Sequence, residues 1–295
     1  MAVENFKKVQ QVLLLILFAN LAVSLTKIAL GYLINSTSMT ADGFHSLSDA
    51  SSNIIGLIGI HFASQPVDED HPYGHGKFET LAGLFISGIL FLVSGKIIIE
   101  AILKFFNPTV PQISSVSLIA LLLTLFINIF VCFYETKQGR KLNSQILISD
   151  SAHTKSDIFI SLGVLITLLS IKLGFSPIID PIVSLIVAVF IIQAAYEIYK
   201  DNSDVLLDKA VVDTEQIKSI TQSFEQVKDT HKIRSRGSST NLFIDMHIMI
   251  EPDLNVVESH KLIHDIQEKI QKEVNEKAQV IIHLEPFEEQ EEKKQ

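Results

Sequence analysis

The sequence predicts a membrane protein in two parts: an all-α bundle of six transmembrane helices, then a C-terminal soluble α+β domain with elements in the order αββαβ. Three observations carry that prediction. The 295-residue chain is 47% hydrophobic and only 19% charged, where about 25% charged is usual for a soluble domain, and its mean hydropathy is +0.34. Polarity is split along the chain: apolar blocks run to about Tyr199, and from Lys200 the sequence is densely charged, ending FEEQEEKKQ. In that charged part Leu242, Ile244, Met246, Ile248 and Ile250 alternate, as on a half-buried strand.

A helix needs roughly 20 mostly apolar residues to cross about 30 Å of hydrocarbon. Six blocks meet that length: Val12–Leu33, Met39–Phe62, Thr80–Ile102, Ile113–Tyr134, Ile146–Leu169 and Pro177–Tyr199. Breaks with turn chemistry separate them: NSTS, ASQPVDEDHPYGHGK, FFNPTVPQ, ETKQGRKLNSQ and GFSP. The first block is too long for a signal-peptide core and has no small-residue cleavage site, so it is expected to be retained. An even number of crossings puts both termini on one side. That side collects Lys7, Lys8, Lys77, Lys137, Arg140, Lys141 and Lys200, against Lys104 and Lys172 on the other. Basic flanks stay inside, so both termini are expected to be cytoplasmic, with the protein in the plasma or inner membrane. The expected domains are 1–204, the transport bundle, and 205–289, the soluble domain, with 290–295 a charged tail.

Within the soluble part, Thr214–Phe224 has helical spacing and His231–Arg236 is extended up to a Gly237-Ser-Ser turn. The alternating strand follows, then Val256–Val274 with helical period and a β-rich run Ala278–Leu284. This order is expected to give an antiparallel sheet with helices on one face. A single cysteine, Cys132, excludes an intrachain disulfide and CxxC metal sites, and the net charge of −9 argues against nucleic acid as a partner.

The polar residues inside the apolar blocks carry the chemistry. Asp42 to Asp49 and Asp150 to Asp157 both read D-x-x-H-x-x-S-D. Positions i, i+3 and i+7 fall within about 60° on one helix face, and Asp49 and Asp157 each come out about 15–16 Å deep, near the bilayer midplane. His45 and Asp49 can therefore meet His153 and Asp157. Polar glue between helices accounts for Ser48, Ser51, Ser52 and Asn53. It does not account for the carboxylates, since each central charge costs about 2.5–3.5 kcal/mol. A bound divalent cation removes the difficulty: two imidazoles and two carboxylates make an N₂O₂ site suited to Zn²⁺. Asp42 and Asp150 fall on opposite sides of that site, either flanking the ligands and lining the approach to them or capping near the surface. Lys155 sits on another face of its helix, where it can snorkel or pair with a carboxylate.

Two further groups of donors stand out. In the long loop, Asp68, His71 and His75 place a carboxylate and two imidazoles beside Gly74 and Gly76, with Asp70 a nearby substitute; loop histidines are also often simply solvated. Lys77 and Glu79 fit ion pairs better than metal ligands. In the soluble part, His231, His247, His260, His264, His283 and Glu285 are many donors for a short domain, and His283 and Glu285 share a strand face.

The paired His45-xxx-Asp49 and His153-xxx-Asp157, the loop HPYGHGKFE, Asp180-Pro181 opening the sixth helix, and LLDKA ahead of the soluble domain together resemble the cation diffusion facilitators, a family of divalent-metal/proton antiporters. The resemblance covers nearly the whole chain. It implies six transmembrane helices, a ferredoxin-like, metallochaperone-like αββαβ domain in the cytoplasm, and a homodimer. It also places a second metal site on Asp68, His71 and His75, and a regulatory cytoplasmic site on His231, His247, His260, His283 and Glu285. Relatives often have Asp where Glu285 stands, and His264, one turn from His260, is either a substitute ligand or an exposed residue. In the family, His at both helix positions goes with zinc, which the resemblance implies here; cadmium, cobalt or iron is the alternative cargo, and manganese is disfavoured. The expected activity is export of Zn²⁺ in exchange for protons, with no prosthetic group and no enzymatic reaction. An intramembrane metalloenzyme would need an H-E-x-x-H-like arrangement and an open coordination position, which this sequence lacks. A membrane metal sensor would need no ligands at the bilayer centre.

Overall fold

The structure, a computed structural model, describes residues 2–33, 47, 52–106, 115–174, 176, 178–238 and 241–287. The chain forms two compact units, Met1–Ser203 and Asp204–Gln295.

The first unit is helical: α1 Ala2–Leu33, α2 with Ser52–Ala63 described, α3 Lys77–Phe106, α4 Ser115–Leu142, α5 Gln145–Lys172 and α6 Ile179–Leu206. Among the described residues, four stretches are long and apolar enough to cross a membrane: Phe6–Thr26, Lys77–Phe106, Leu121–Leu142 and Ile179–Leu206. The helix α5 has 28 residues, enough for about 42 Å, and carries Asp150, His153, Lys155 and Asp157 along it. Of the predicted second crossing, His45, Asp49 and Asp42 lie outside the described residues.

Burial in this unit is the reverse of a soluble protein's. Phe18, Phe85, Leu92, Phe126, Phe130 and Phe133 point outward, while Ser24, Asn53, Ser87, Glu135, Asp150 and Asn202 are buried. Such a surface suits hydrocarbon as solvent. A core of Val9, Leu13 and Ile16 from α1, Ile60 from α2, Ile86 from α3 and Ile146 from α5 ties the first five helices together, with Val131 and Leu142 from α4. Close approach is made possible by small residues: a Cβ on Gly59 would sit 2.4 Å from Cβ of Ala82, so α2 and α3 touch backbone to backbone there.

The helices outrun the apolar blocks that predict them. In particular α4 continues through ETKQGRKL, expected to be a break. Glu, Lys, Gln, Arg and Leu are good helix formers, so the loss of apolarity marks where a helix leaves hydrocarbon, not where it stops. The stop is made by Asn143, at φ 50°, a left-handed conformation Asn tolerates, while the Ser144 N–H donates to the Gly139 carbonyl at 2.9 Å. Ser144 then opens α5, and α4 and α5 form an antiparallel hairpin.

The second unit contains α7 Thr214–Thr221, β1 Val227–Ser238, β2 Asn241–Ile250, α8 Val256–Glu273 and β3 Gln279–Pro286. Asp213 caps α7 by accepting from the Glu215 N–H, and Asn255 with Glu258 forms a capping box at α8. The sheet order is β1-β2-β3. The expected all-antiparallel sheet is corrected here: β1 and β2 are antiparallel, but β2 and β3 are parallel. The helix α8 carries the chain back to the start of β2 before β3 begins, and a strand–helix–strand crossover makes parallel neighbours. Also, α7 ends at Thr221 rather than Phe224, and β1 begins at Val227, ahead of His231. Ile244, Met246 and Ile248 pack against Ile217 and Ile220 of α7 and Leu262, Ile266 and Ile270 of α8. Both helices thus cover one sheet face, leaving Phe243, Asp245, His247 and Met249 on the other. Gly237, at φ 103°, has no room for a side chain: a Cβ would lie 2.0 Å from the Asn241 carbonyl oxygen.

Candidate metal centres

The buried polar residues of the first unit converge on α5. Asp150 is fully buried, and one of its oxygens accepts from Asn53 Nδ2. Asn53 in turn accepts from Asn20 Nδ2 at 3.0 Å, so one chain of hydrogen bonds joins α1, α2 and α5. One turn further along α5, His153 is 5% exposed, and neither ring nitrogen has a hydrogen-bond partner among the described residues. Buried polar groups are nearly always paired, so an unpartnered imidazole flanked by Asp150 and Asp157 on one helix face has the chemistry of a cation ligand. Asp157 is half-buried. Lys155 turns away, its ammonium 5.6 Å from the Phe159 ring centre.

One buried carboxylate escapes the sequence patterns. Glu135, on α4, is fully buried and accepts from Thr154 Oγ1 at 2.9 Å, a hydroxyl that also lies 3.3 Å from the Asp150 carbonyl oxygen. In sequence it reads as the first residue of a polar break. The signal that could have found it is helical phase: it is one residue beyond the fourth apolar block, on a helix that does not stop there.

The loop between α2 and α3 brings Asp68, His71 and His75 together, one donor atom from each lying within 4.8 Å of the others. His71 donates its backbone N–H to Asp68 Oδ1 at 2.7 Å, and its ring Nδ1 is 3.1 Å from the same oxygen. His75 Nε2 is 3.3 Å from Asp68 Oδ2. Gly74, at φ 82°, makes the turn between the two histidines, and His75 stacks on Phe78. The His71 backbone N–H, and then its ring, hold the Asp68 carboxyl below the usual carboxylate range. One turn after His75, Glu79 accepts from Ser144 Oγ and from the Ile146 N–H at 3.3 Å. It caps α5, where an ion pair is the sequence expectation. Lys104, at the C-terminal end of α3, meets Asp180 at the N-terminus of α6 at 2.7 Å, a pairing both helix dipoles favour.

On the open face of the sheet, three strands contribute one donor each. His231 on β1 pairs in register with His247 on β2, which faces His283 on β3. Donor atoms of His231, His247 and Glu285 lie within 4.8 Å of one another. Glu285 receives both imidazoles, His247 Nδ1 at 2.7 Å and His231 Nε2 at 3.1 Å. That contact with His247, followed by the charge of His231, lowers the Glu285 carboxyl from its ordinary value of 4.5. A bulge between His231 and Arg234, with Lys232 at φ 52°, turns the strand just after His231. Of the other expected ligands, His283 is 3.9 Å from Glu285. His260 pairs instead with His264 on α8, Nε2 to Nε2 3.1 Å, beside a cavity of about 400 Å³ that Glu285 also lines.

The chain matches known proteins along most of its length. Residues 13–207 match the family model of the cation efflux transmembrane domain, and residues 211–287 that of the cation efflux protein cytoplasmic domain. The chain is 33% identical to the manganese efflux system protein MneP of Bacillus subtilis, over 97% of this chain and 99% of that protein. It is 28% identical to the manganese efflux system protein MneS of the same organism, over 97% and 98%. With the cation-efflux pump FieF of Shewanella oneidensis it shares 30% identity, over 91% and 92%.

Proposed function

The chain belongs to the cation diffusion facilitator family, as a multi-pass membrane cation efflux transporter, and from that premise we propose that it exchanges a divalent metal, Zn²⁺ first, for protons at a four-ligand site at mid-membrane. The observation that carries this reading is His153: a buried imidazole with both nitrogens unpartnered among the described residues, one turn from Asp157. With Asp157, His45 and Asp49 it completes an N₂O₂ donor set. Ligating histidines must be neutral and carboxylates ionised, so metal and protons exclude each other there. Facing the cytoplasm the site takes metal and releases protons; facing outward, protons displace the metal.

Six crossings, cytoplasmic termini, residence in the cell membrane and a homodimer complete the proposal, with domains at 1–204, 205–289 and 290–295. In it, Asp68, His71 and His75 hold a second metal, and His231, His247 and Glu285, joined by His283 and His260, form a site that senses cytosolic metal. Asp42 flanks the transport ligands. A second reading of the cargo is manganese, favoured by the names of MneP and MneS; an oxygen-richer site would suit it better than the two imidazoles do.

Metal uptake into inverted vesicles tests both points. His153→Ala and Asp157→Ala are each expected to abolish uptake while the protein still folds, and retained transport by both would sink the site. Excess Mn²⁺ is expected to leave Zn²⁺ flux largely intact; Mn²⁺ carried in preference to Zn²⁺ would reverse the choice of cargo.

A further inference from the structure

We infer that Glu135 and Asp150 form a subsite for the divalent cation, lying between the α4–α5 turn and the ligands His153 and Asp157. This rests on the transport-site reading above. Two carboxyl residues, both fully buried, are brought together across the α4–α5 hairpin by Thr154, whose hydroxyl lies 2.9 Å from Glu135 Oε2 and 3.3 Å from the Asp150 carbonyl oxygen. Each has one oxygen held: Glu135 Oε2 by the Thr154 hydroxyl, Asp150 Oδ2 by the Asn53 amide. Each keeps a second oxygen, Glu135 Oε1 and Asp150 Oδ1, with no donor among the described residues. Two buried carboxylates repel each other unless something positive lies between them.

His153 supplies an independent pointer to a ligand. It lies three residues from Asp150 on the same face of α5, is more than nine-tenths buried, and has no partner at either nitrogen among the described residues. The positions also form a sequence in depth. Counting about 1.5 Å per residue from the hairpin turn, Asp150 lies about 9 Å in, Glu135 about 12 Å, His153 about 14 Å and Asp157 about 20 Å. A cation coming from the turn side meets the carboxylate pair before the imidazole. The pair is oxygen-only, suited to a partly hydrated divalent ion, and it hands that ion to a site where nitrogen donors bind more tightly.

Concentration dependence of Zn²⁺ uptake by the full-length protein in vesicles tests the subsite. Glu135→Gln keeps the shape and an acceptor for Thr154 while removing the charge. It is expected to raise the half-saturating metal concentration by about tenfold, within the range known for residues that support a metal site, with the maximal rate much less affected. Glu135→Asp, which restores the charge, is expected to recover most of that loss. Thr154→Val, which breaks the hydrogen bond and leaves the charge, is expected to change the half-saturating concentration far less than Glu135→Gln does. A Glu135→Gln protein with a wild-type half-saturating concentration overturns the subsite, as does a Thr154→Val loss equal to that of Glu135→Gln. If Glu135→Gln does not fold, Asp150→Asn decides on the same criterion. His153→Ala and Asp157→Ala separate the two claims: flux surviving in both refutes the transport site, whereas flux lost in both with Glu135→Gln unaltered refutes only the subsite.

Discussion

Histidine and carboxylate meet in two places with opposite physics. On the open sheet face, Glu285 already holds His231 and His247 at hydrogen-bonding distance, and all three side chains are a quarter or so exposed. On α5, His153 and Asp150 are buried and His153 is bonded to nothing among the described residues. The first cluster is satisfied without an ion, since water and its own contacts stabilise it. The second is costly as it stands, because a polar group withdrawn from water without a partner loses roughly 1–3 kcal/mol. A site that must bind and release its cargo in each cycle gains from that imbalance, whereas a site that only reports on metal does not need it.

Flux separates the two clusters most widely. Loss of the imidazole in His153→Ala is expected to cut transport by more than the roughly 10–100-fold known for residues that support a metal site, while His247→Ala leaves the maximal rate close to wild type. Equal losses in vesicle uptake would erase the distinction between the two clusters. Next in size is packing beneath the sheet. Ile266 of α8 is fully buried in the core beneath the sheet, so Ile266→Ala is expected to destabilise the C-terminal unit by about 2–5 kcal/mol, read as faster amide exchange in β2. A smaller effect is expected from Glu285→Gln, which weakens zinc-induced thermal stabilisation of the full-length protein and lowers its metal-free melting at neutral pH slightly, by the stability that the ionised carboxylate contributes.

Acid gives the smallest effect. The Glu285 carboxyl is lowered in the folded chain from an ordinary 4.5. Its contribution is therefore fully present above that value and is lost as pH falls below it, through the lowered one. Thermal melting followed across this window should show an acid-side loss that Glu285→Gln flattens. An unchanged acid limb in the variant would mean that other carboxylates set it.

The contrast also governs what the sequence could disclose. The placement of Asp150, His153 and Asp157 along one helix was legible because they obey one helical period, and because charge inside an apolar block is conspicuous. The β2 strand was legible from alternation alone. Alternation says nothing about direction, so the parallel β2–β3 pairing, set by α8, was invisible. Glu135 was missed for a related reason: at the edge of an apolar block a glutamate looks solvated, and only the hairpin shows it buried and bonded to Thr154 of α5. The Asn20–Asn53–Asp150 chain spans three helices far apart in sequence, and no local pattern encodes it. In the soluble part the histidines were all visible, but only strand register separates His247, which meets Glu285, from His260, which meets His264.

The open sheet face works as a ruler with coarse markings. Donors on one face recur every second residue, about 6.8 Å along a strand, and neighbouring strands stand about 4.8 Å apart. No single-residue shift of His231, His247 or Glu285 can adjust their spacing finely; it would carry the side chain to the opposite face. Side-chain length is the one variable that changes in small steps. The additional methylene of Glu285, compared with an aspartate, is such a step: it lets one carboxylate reach histidines on two neighbouring strands at once.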